Sequence, residues 1–271
     1  DCFSRHQRPS MSASSSNVDV VVLAAGQGKR MHQAFPGVPK VLVPLAGRPM
    51  LLHVLDAVEA SGIAAHVTVV VGPAVEEKVR AAFVGRSVTF VLQPEPKGTG
   101  HAVLCAHPAG SGAKHVLVLY GDQPLVSAAT IRRIVERHAS TGADMTMLTV
   151  PLPDFSGWRA SFADWGRIAR TADGKLARIV EAKDATVNEL RITEVNPALF
   201  CYRAAWLWEH LPQVGTANIQ GEYYLTDLLG MATKSGARLA DVAVSDPREA
   251  LGANTPEQLA ILERTYKELH P

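Results

Sequence analysis

Residues 23–40 contain glycines and basic side chains at a spacing that suits phosphate binding. Backbone N–H groups of glycine approach an anion closely, and the basic side chains add positive charge. The stretch lacks a complete Walker pattern, and Met31 stands where G-x-G-x-x-G requires its third glycine. These residues alone leave two interpretations: a phosphate site, or a plain glycine turn with solvated basic side chains. The residues concerned are Gly26, Gly28, Lys29, Arg30 and Lys40.

A second stretch, residues 93–102, places a glycine turn before a predicted helix. The turn Gly98–Thr99–Gly100 would expose N–H groups at the positive end of the helix dipole, which favours an anion. Gln93 offers a donor and an acceptor together, which suits the edge of a nucleotide base. A simple loop and helix start is the alternative. His101 and Cys105 lie on the following helix, and we interpret them as helix packing because a metal site needs more converging ligands.

The third stretch, YGDQP at residues 120–124, places Asp122 just beyond a very apolar predicted strand. A carboxylate there would be desolvated and needs a partner, and a divalent cation is a common one. An Asx turn before Pro124 is the alternative. The sequence contains no G-x-S-x-G, H-E-x-x-H or EF-hand spacing, so hydrolase triads and zinc peptidase chemistry have no support. Together the three stretches indicate a nucleotide-phosphate enzyme that uses a hard cation.

The composition excludes several other classes of protein. Apolar residues make up 47% and charged residues 20%, which permits a sizeable core. The formal charge of +1 gives no strong field for binding nucleic acid or an acidic membrane, and we expect neither partner. No apolar run approaches the ~18 residues of a membrane span, and residues 1–17 lack the apolar region of a secretory signal. The scattered cysteines fit a reducing compartment, so we expect a cytoplasmic protein.

The elements that must position these stretches alternate between strand and helix. Such alternation predicts an α/β fold with a mostly parallel sheet covered by helices on both sides. The predicted strands are 18–24, 66–72, 87–93, 115–122 and 143–150, and the predicted helices are 49–62, 75–83, 98–107 and 127–142. Since the carboxyl ends of parallel strands meet at one edge, the three chemistry-bearing stretches are expected there.

The pattern changes after residue 150. Asp173–Gly174 predicts a hairpin within residues 165–185. Residues 191–202 and 237–244 read as strands, and residues 204–211, 223–236 and 255–269 read as helices. We expect this half to extend the same sheet and to form a lid over its edge. The predicted organisation is a flexible tail (1–17), one catalytic domain (18–254) and a C-terminal helix (255–271).

The motifs in their order resemble a known family. The stretch LAAGQGKRM followed by PK is similar to the signature of sugar-phosphate nucleotidylyltransferases. More narrowly, the chain resembles the uridylyltransferase domain of bacterial N-acetylglucosamine-1-phosphate uridylyltransferases. The shared landmarks span roughly residues 18–269, and they are LQPEPKGTGHA, LYGDQPL, WGRI, IVEAKDAT, EVNPALF, QGEYYLTDLL and GANTPEQL. The resemblance implies a Rossmann-like nucleotide-diphospho-sugar transferase fold, with a mixed, mostly parallel sheet flanked by helices.

The resemblance also implies a role for individual residues. Those for the uridine are Ala24, Ala25, Gly26, Gln93, Gly98 and Thr99. Arg30 and Lys40 would grip the triphosphate as the catalytic cations. Asp122 and Asn254 would bind Mg²⁺ through hard oxygen atoms. Those for the sugar are Tyr120, Gly166, Glu181, Asn196 and Thr226.

The implied reaction joins UTP and N-acetylglucosamine-1-phosphate into UDP-N-acetylglucosamine, a cell wall precursor, and releases pyrophosphate. Three departures from the family pattern bear on it: Lys29 replaces a threonine, Gly37–Val38 is inserted, and Pro197 follows Asn196. The hexapeptide repeats of the family's acetyltransferase domain do not occur in the sequence, so we expect no acetyltransferase activity from it. Another sugar-1-phosphate, another nucleotide, or a catalytically silent sugar-nucleotide-binding regulatory protein are the alternatives. The sequence leaves the oligomeric state open.

Overall fold

The computed structural model describes residues 17–26 and 28–270, without the side chain of Pro108. The predicted flexible tail falls almost entirely on residues 1–16, which lie outside the described residues. The strands are β1 (Val18–Ala24), β2 (Pro44–Leu45), β3 (Arg48–Pro49), β4 (Ala64–Val71), β5 (Thr89–Leu92), β6 (His115–Tyr120), β7 (Met145–Pro151), β8 (Arg167–Arg170), β9 (Leu176–Val180), β10 (Glu194–Val195), β11 (Phe200–Arg203) and β12 (Leu239–Ala243).

Seven α-helices occur in the described part of the chain. They are α1 (Met50–Ser61), α2 (Glu76–Ala82), α3 (Thr99–Ala106), α4 (Ala128–Thr141), α5 (Ala204–His210), α6 (Asp227–Ser235) and α7 (Pro256–Leu269). Local sequence sets their ends. Ser127 caps α4 by accepting a hydrogen bond from the Thr130 N–H at 3.1 Å. Thr255 caps α7 in the same way, and Pro256 occupies the first helical position, where its missing N–H has no cost.

One large sheet organises the molecule. Within the described residues it has ten strands in the order β5-β4-β1-β6-β11-β7-β10-β8-β9, and β12 pairs with β7. Strands β9, β10 and β11 run opposite to the others. The sheet is therefore mixed and mostly parallel, as the sequence predicts, and its second half extends the first. All seven residues of β1 are buried because helices cover both faces of the sheet.

The two faces of the sheet carry separate apolar clusters. On one face Leu51 of α1, Ile131 of α4 and Leu259 of α7 belong to the same cluster of buried side chains. On the other face Val103 of α3 and Leu207 of α5 belong to the second cluster. The C-terminal helix is thus packed into the core of the domain. No helix in the described part of the chain is both long enough and apolar enough to cross a bilayer.

For two elements the predicted boundaries are wrong. The strand predicted at 191–202 is interrupted between β10 and β11, because Pro197 has no N–H for a ladder hydrogen bond and Ala198 has a φ of +61°. The helix predicted at 223–236 begins only at Asp227. Tyr223 is drawn out of that helix by backbone hydrogen bonds to the glycine turn, from its N–H to Lys97 and from the Gly100 N–H to its carbonyl.

Candidate active site

The carboxyl ends of four parallel strands meet at one edge of the sheet. Ala24, the last residue of β1, pairs with Val71 of β4, and Val71 pairs with Leu92 of β5. On the other side of β1, Leu23 pairs with Tyr120 of β6. The loops that follow these strands therefore lie side by side. As expected for an open α/β sheet, this edge brings together the three stretches that the sequence singles out.

Lys40 lies at the centre of this edge. Its ammonium group donates hydrogen bonds to the carboxylate of Asp122 and to the side-chain oxygen of Asn254, the latter at 2.8 Å. The side chains of Lys40 and Asp122 are only 12% and 13% exposed, so the ion pair is largely screened from water. Gly28 makes room for this lysine, since a Cβ on Gly28 would lie 2.7 Å from the Lys40 Cβ. The residues predicted to bind phosphate and metal thus share one cation-sized position.

A close backbone contact brings Asn254 to Asp122. The Ala253 N–H donates to the Asp122 carbonyl at 3.3 Å, and a Cβ on Gly252 would lie 2.8 Å from the same oxygen. Gly252 is therefore required for the approach. The backbone N–H of Asn254 donates to the side chain of Gln258 on α7 at 2.7 Å, which fixes the start of that helix. The C-terminal helix thereby positions one of the two candidate metal ligands.

The oxygen atoms around the Lys40 ammonium group fit a hard divalent cation. One carboxylate and one amide oxygen already converge on a single positive charge there. Magnesium commonly takes one or two protein oxygens and completes its shell with water and substrate phosphate oxygens. In the described part of the chain, no cluster of three or more His, Cys, Asp and Glu side chains could hold a metal. Asp122 and Asn254 could supply two oxygen ligands to such a cation.

A cavity of about 390 Å³ opens at the same edge of the sheet, after strands β1, β4 and β5. Its lining includes Ala25, Lys29, His32, Gln93, Pro96 and residues 72–75. Gln93 is 5% exposed, and its Nε2 atom donates to the Gly98 carbonyl at 3.0 Å and to Nδ1 of His101 at 3.1 Å. The expectation that Gln93 offers both a donor and an acceptor is wrong, because both amide hydrogens are already engaged. His101 packs against Cys105 one turn along α3, as expected, and it also contacts Gln93.

The glycine turn before α3 is fixed against the segment that precedes α6. Gly98 has a φ of +102°, and a Cβ there would lie 2.7 Å from the Tyr223 carbonyl, so only glycine fits. The Thr99 hydroxyl accepts a hydrogen bond from the Leu225 N–H at 3.0 Å. The Gly100 N–H donates to the Tyr223 carbonyl at 2.8 Å. That N–H, expected to be free for an anion, is therefore not available to one.

The predicted sugar residues lie on the far side of the turn. The Thr226 hydroxyl donates to the Glu181 carboxylate at 3.0 Å. A Cβ on Gly166 would lie 3.5 Å from both carboxylate oxygens of Glu181, and the Asn196 N–H donates to the Gly166 carbonyl at 2.9 Å. Burial raises the pKa of Glu181, and the charges of Asp184 and Asp227 raise it further. This group of residues forms a polar pocket with one desolvated carboxyl.

Tyr120 links the two halves of the edge. Burial raises the pKa of its phenol, as do the nearby charges of Glu181 and Asp122, and a hydrogen bond with Thr99 opposes this only in part. Its hydroxyl therefore stays protonated and can act as a neutral hydrogen-bond group. Because Tyr120 lies close to both carboxylates, the pocket of Glu181 and the Lys40 cluster are adjacent.

The remaining predicted residues are placed less centrally. Ala24 is buried in β1, so only its backbone is available to a ligand, whereas Ala25 lines the cavity and Gly26 is exposed. Arg30 is exposed at the start of a short 3-10 helix, outside the Lys40 cluster. Its role at the triphosphate remains a prediction.

Several residues of the site are absent from the sequence-based set. Gly72 and Pro73 line the cavity after β4, and the strand-end rule that identified Asp122 applies equally to them. Gln123 donates from its side-chain amide to the Pro197 carbonyl at 2.8 Å, which holds the segment of Asn196 near Asp122. That contact joins residues 74 positions apart, so no local pattern in the sequence predicts it.

Comparison with known proteins agrees with this geometry. A family model described as MobA-like NTP transferase domain matches residues 20–224. The chain is 44% identical to the bifunctional protein GlmU of Burkholderia thailandensis and to that of Aromatoleum aromaticum, and 43% identical to that of Burkholderia pseudomallei, each over 250 residues. These alignments cover 92% of this chain and 52% of each relative. The chain therefore spans about half the length of the curated relatives it matches.

Proposed function

Since the chain belongs to the family of MobA-like NTP transferase domains, we propose that it transfers the uridylyl group of UTP to N-acetylglucosamine-1-phosphate. The products are UDP-N-acetylglucosamine and pyrophosphate. The observation that carries this proposal is the convergence of Lys40, Asp122 and Asn254 at one cation-sized position. A cavity of about 390 Å³ opens at the same edge of the sheet, and Tyr120 lies close to both Asp122 and Glu181.

The proposed reaction is an in-line displacement at the α-phosphorus. A phosphate oxygen of the sugar phosphate forms the new bond to this phosphorus while the bond to the bridging oxygen of the β-phosphate breaks. The nucleophile is already an anion, so no general base is required. The barrier comes from charge repulsion and alignment, which positioned positive charges and a fixed geometry lower. We assign these charges to Lys40 and, by the resemblance of its motif, to Arg30.

Family membership favours a divalent cation at this site, and we propose Mg²⁺, held by Asp122 and Asn254. When bound, the metal supplies charge neutralisation for the triphosphate and the departing pyrophosphate. The protein's part is to hold the two oxygen ligands together through the Gly252–Asp122 backbone contact. With a metal held there, Lys40 would contact phosphate oxygens in place of its two present partners, because two cations cannot share the position between them.

Sugar recognition is proposed for the pocket of Glu181, Thr226, Gly166 and Asn196. The Asn196 side-chain oxygen accepts a hydrogen bond from the Ala198 N–H at 2.9 Å. This leaves the NH₂ end of Asn196 as the group that can donate to an N-acetyl carbonyl. Pro197 offers no N–H at this pocket, so we expect looser discrimination at the sugar 2-position. N-acetylglucosamine-1-phosphate is expected to be the best substrate, with glucose-1-phosphate accepted to a measurable degree.

A pyrophosphate-release assay over a matrix of nucleotides and sugar-1-phosphates tests the proposal. The expected result is the highest kcat/KM for UTP with N-acetylglucosamine-1-phosphate. A clear preference for another nucleotide would refute the uridylyl assignment, and a clear preference for glucose-1-phosphate would refute the sugar assignment. Tight binding of UDP-N-acetylglucosamine without any turnover would instead identify a regulatory binding protein.

A further inference from the structure

Gln93 lines the cavity at the edge of the sheet, and its side-chain amide has a fixed orientation there. The Gly98 carbonyl can only accept a hydrogen bond, so the Gln93 atom 3.0 Å from it must be the donor, Nε2. Gln93 is 5% exposed, and its backbone N–H donates to the Val71 carbonyl at 2.8 Å, so its backbone is held as well. The orientation of the amide therefore follows from its surroundings.

His101 takes the second hydrogen of the same amide nitrogen. The distance from Gln93 Nε2 to His101 Nδ1 is 3.1 Å, so Nδ1 must carry a lone pair and the ring proton lies on Nε2. The Nε2 atom of His101 lies 3.9 Å from the Cys105 sulfur, which can serve as a weak acceptor for the ring N–H. Burial raises the pKa of Cys105, so its partner there is the neutral thiol. His101 is thus held in the tautomer that accepts from Gln93.

With both hydrogens of Nε2 engaged, the side chain of Gln93 offers a ligand only its carbonyl oxygen, Oε1. A uracil ring presents an N–H donor at N3, whereas a cytosine ring presents a lone pair at the same atom. A fixed acceptor that faces N3 of the base accepts a hydrogen bond from uracil and repels the lone pair of cytosine. Because a buried acceptor facing a lone pair is left unsatisfied, such a fixed group discriminates more strongly than one that can turn over.

We propose that His101 is a positioning residue that makes the nucleotide site selective for uracil over cytosine, by holding Gln93 with its carbonyl oxygen toward the base. The inference rests on the proposed nucleotide site. It adds that selectivity depends on the hydrogen-bond acceptor at residue 101. Without that acceptor the second N–H of Gln93 is unpaired and only the Gly98 carbonyl still orients the amide, so its carbonyl oxygen is held toward the base less strictly.

The test compares the affinities of UTP and CTP, measured by calorimetry with Mg²⁺ and without sugar phosphate so that no turnover occurs. His101→Leu removes the acceptor, whereas His101→Asn keeps an oxygen near the place of Nδ1. We expect the ratio of the two dissociation constants to fall about tenfold in the leucine variant and to change less than about threefold in the asparagine variant. A purely structural role would weaken both nucleotides equally and leave the ratio unchanged.

His107→Leu is the matched control on the same stretch of chain. The His107 ring stacks on Trp208 at 4.2 Å and does not contact Gln93, so this variant should keep the wild-type ratio. If His101→Leu discriminates as the wild type does, the role of His101 is refuted while the nucleotide site stands. If the wild-type protein binds CTP as well as UTP, the uracil-selective orientation of Gln93 is itself refuted. If it binds neither nucleotide, the proposed function fails.

Discussion

Lys40 makes two contacts that the proposed binding of a metal–nucleotide complex would replace. Its ammonium group lies between Asp122 and Asn254, where the proposed divalent cation would sit. The ion pair satisfies a largely buried carboxylate that would otherwise be costly to keep charged. Lys40 is the counter-ion of Asp122 in this structure, and we propose that it becomes a phosphate ligand when nucleotide binds.

Replacing Lys40 with methionine should have two opposite effects. Turnover should fall by about 2–4 kcal/mol of transition-state stabilisation, mostly in kcat, because one preorganised charge is lost. Binding of Mn²⁺ without nucleotide should become tighter, because no ammonium group competes for Asp122 and Asn254. Steady-state kinetics and electron paramagnetic resonance of free Mn²⁺ measure the two effects. Lys175→Met, on the exposed turn between β8 and β9, is the control and should change neither.

Removing the charge of Asp122 tests the proposed metal site through one of its ligands. Asp122→Asn should abolish most Mg²⁺-dependent turnover and leave the fold intact, because the variant keeps the shape of the side chain but loses its negative charge. Turnover is measured over a Mg²⁺ titration, with the thermal unfolding midpoint as the control for folding. A wild-type rate at limiting Mg²⁺ would exclude Asp122 from the metal site.

Sequence alone could nominate the individual residues of this cluster but not their arrangement. Asp122 follows a buried strand and Lys40 follows a glycine loop, so each had a local reason to be chosen. Their ion pair joins residues 82 positions apart, and the Lys40–Asn254 contact joins residues 214 positions apart. Such contacts depend on the whole chain path, including the close approach at Gly252. Likewise, only the structure shows that both N–H groups of the Gln93 side chain are already hydrogen-bonded, because this depends on the position of His101.

At the scale of elements, the glycine turn before α3 is joined by hydrogen bonds to the segment before α6, and so links the proposed nucleotide and sugar sides. Gly98→Ala should weaken UTP binding and stability, since alanine at a φ of +102° would also place its Cβ 2.7 Å from the Tyr223 carbonyl. Backbone strain of this kind costs about 1–3 kcal/mol. Urea unfolding and UTP titration measure the two losses. Gly215→Ala, where the new Cβ meets nothing within 4 Å, should leave both unchanged.

A buried histidine, His138, joins helix α4 to the sheet, and its protonation is expected to make the stability of the fold depend on pH. Nδ1 of His138 is hydrogen-bonded to the Thr146 hydroxyl at 2.8 Å, and its Nε2 lies 3.1 Å from Nδ1 of His115. Burial, together with the neighbouring His115, lowers the pKa of His138 from 6.5 to about 4. A depressed histidine pKa means that the unfolded chain binds more protons, so stability is lost as the pH falls from about 6.5 toward 4.

The expected loss is about 1–2 kcal/mol of unfolding free energy between pH 7 and pH 5. His138→Leu should be less stable at pH 7, because Thr146 loses its partner, but its stability should change less over this pH range. Urea unfolding at the two pH values gives the comparison. An equal loss of stability in the wild type and the variant would show that His138 does not carry the effect.

Element boundaries failed where tertiary contacts replaced local preference. Residues 223–226 have the apolar spacing of a helix, but the backbone of Tyr223 pairs with Lys97 and Gly100 instead. Residues 191–202 have strand composition throughout, yet the chain bulges at Pro197 and Ala198. Both deviations occur beside the site, where the chain departs from regular structure in order to place Thr226 and Asn196.

At the scale of the molecule, the alternation of strand and helix predicted the parallel half of the sheet and its functional edge. The sequence could not predict that β11 lies antiparallel between β6 and β7, or that β12 pairs with β7. These pairings are set by long-range packing. The C-terminal helix was expected as a separate segment, yet Leu259 and Leu262 are buried in the core, and the segment before it supplies Asn254. One continuous edge therefore carries the residues that we propose for the base, the phosphates and the sugar.

The most direct test of this account follows the oxygen atoms of the reaction. N-acetylglucosamine-1-phosphate labelled with ¹⁸O in its free phosphate oxygens is incubated with UTP, Mg²⁺ and the protein, and the products are read by ³¹P NMR. Attack on the α-phosphorus predicts UDP-N-acetylglucosamine with ¹⁸O in the bridge between its two phosphorus atoms, and unlabelled pyrophosphate. Label in the inorganic product, or no sugar nucleotide at all, would contradict uridylyl transfer at this edge.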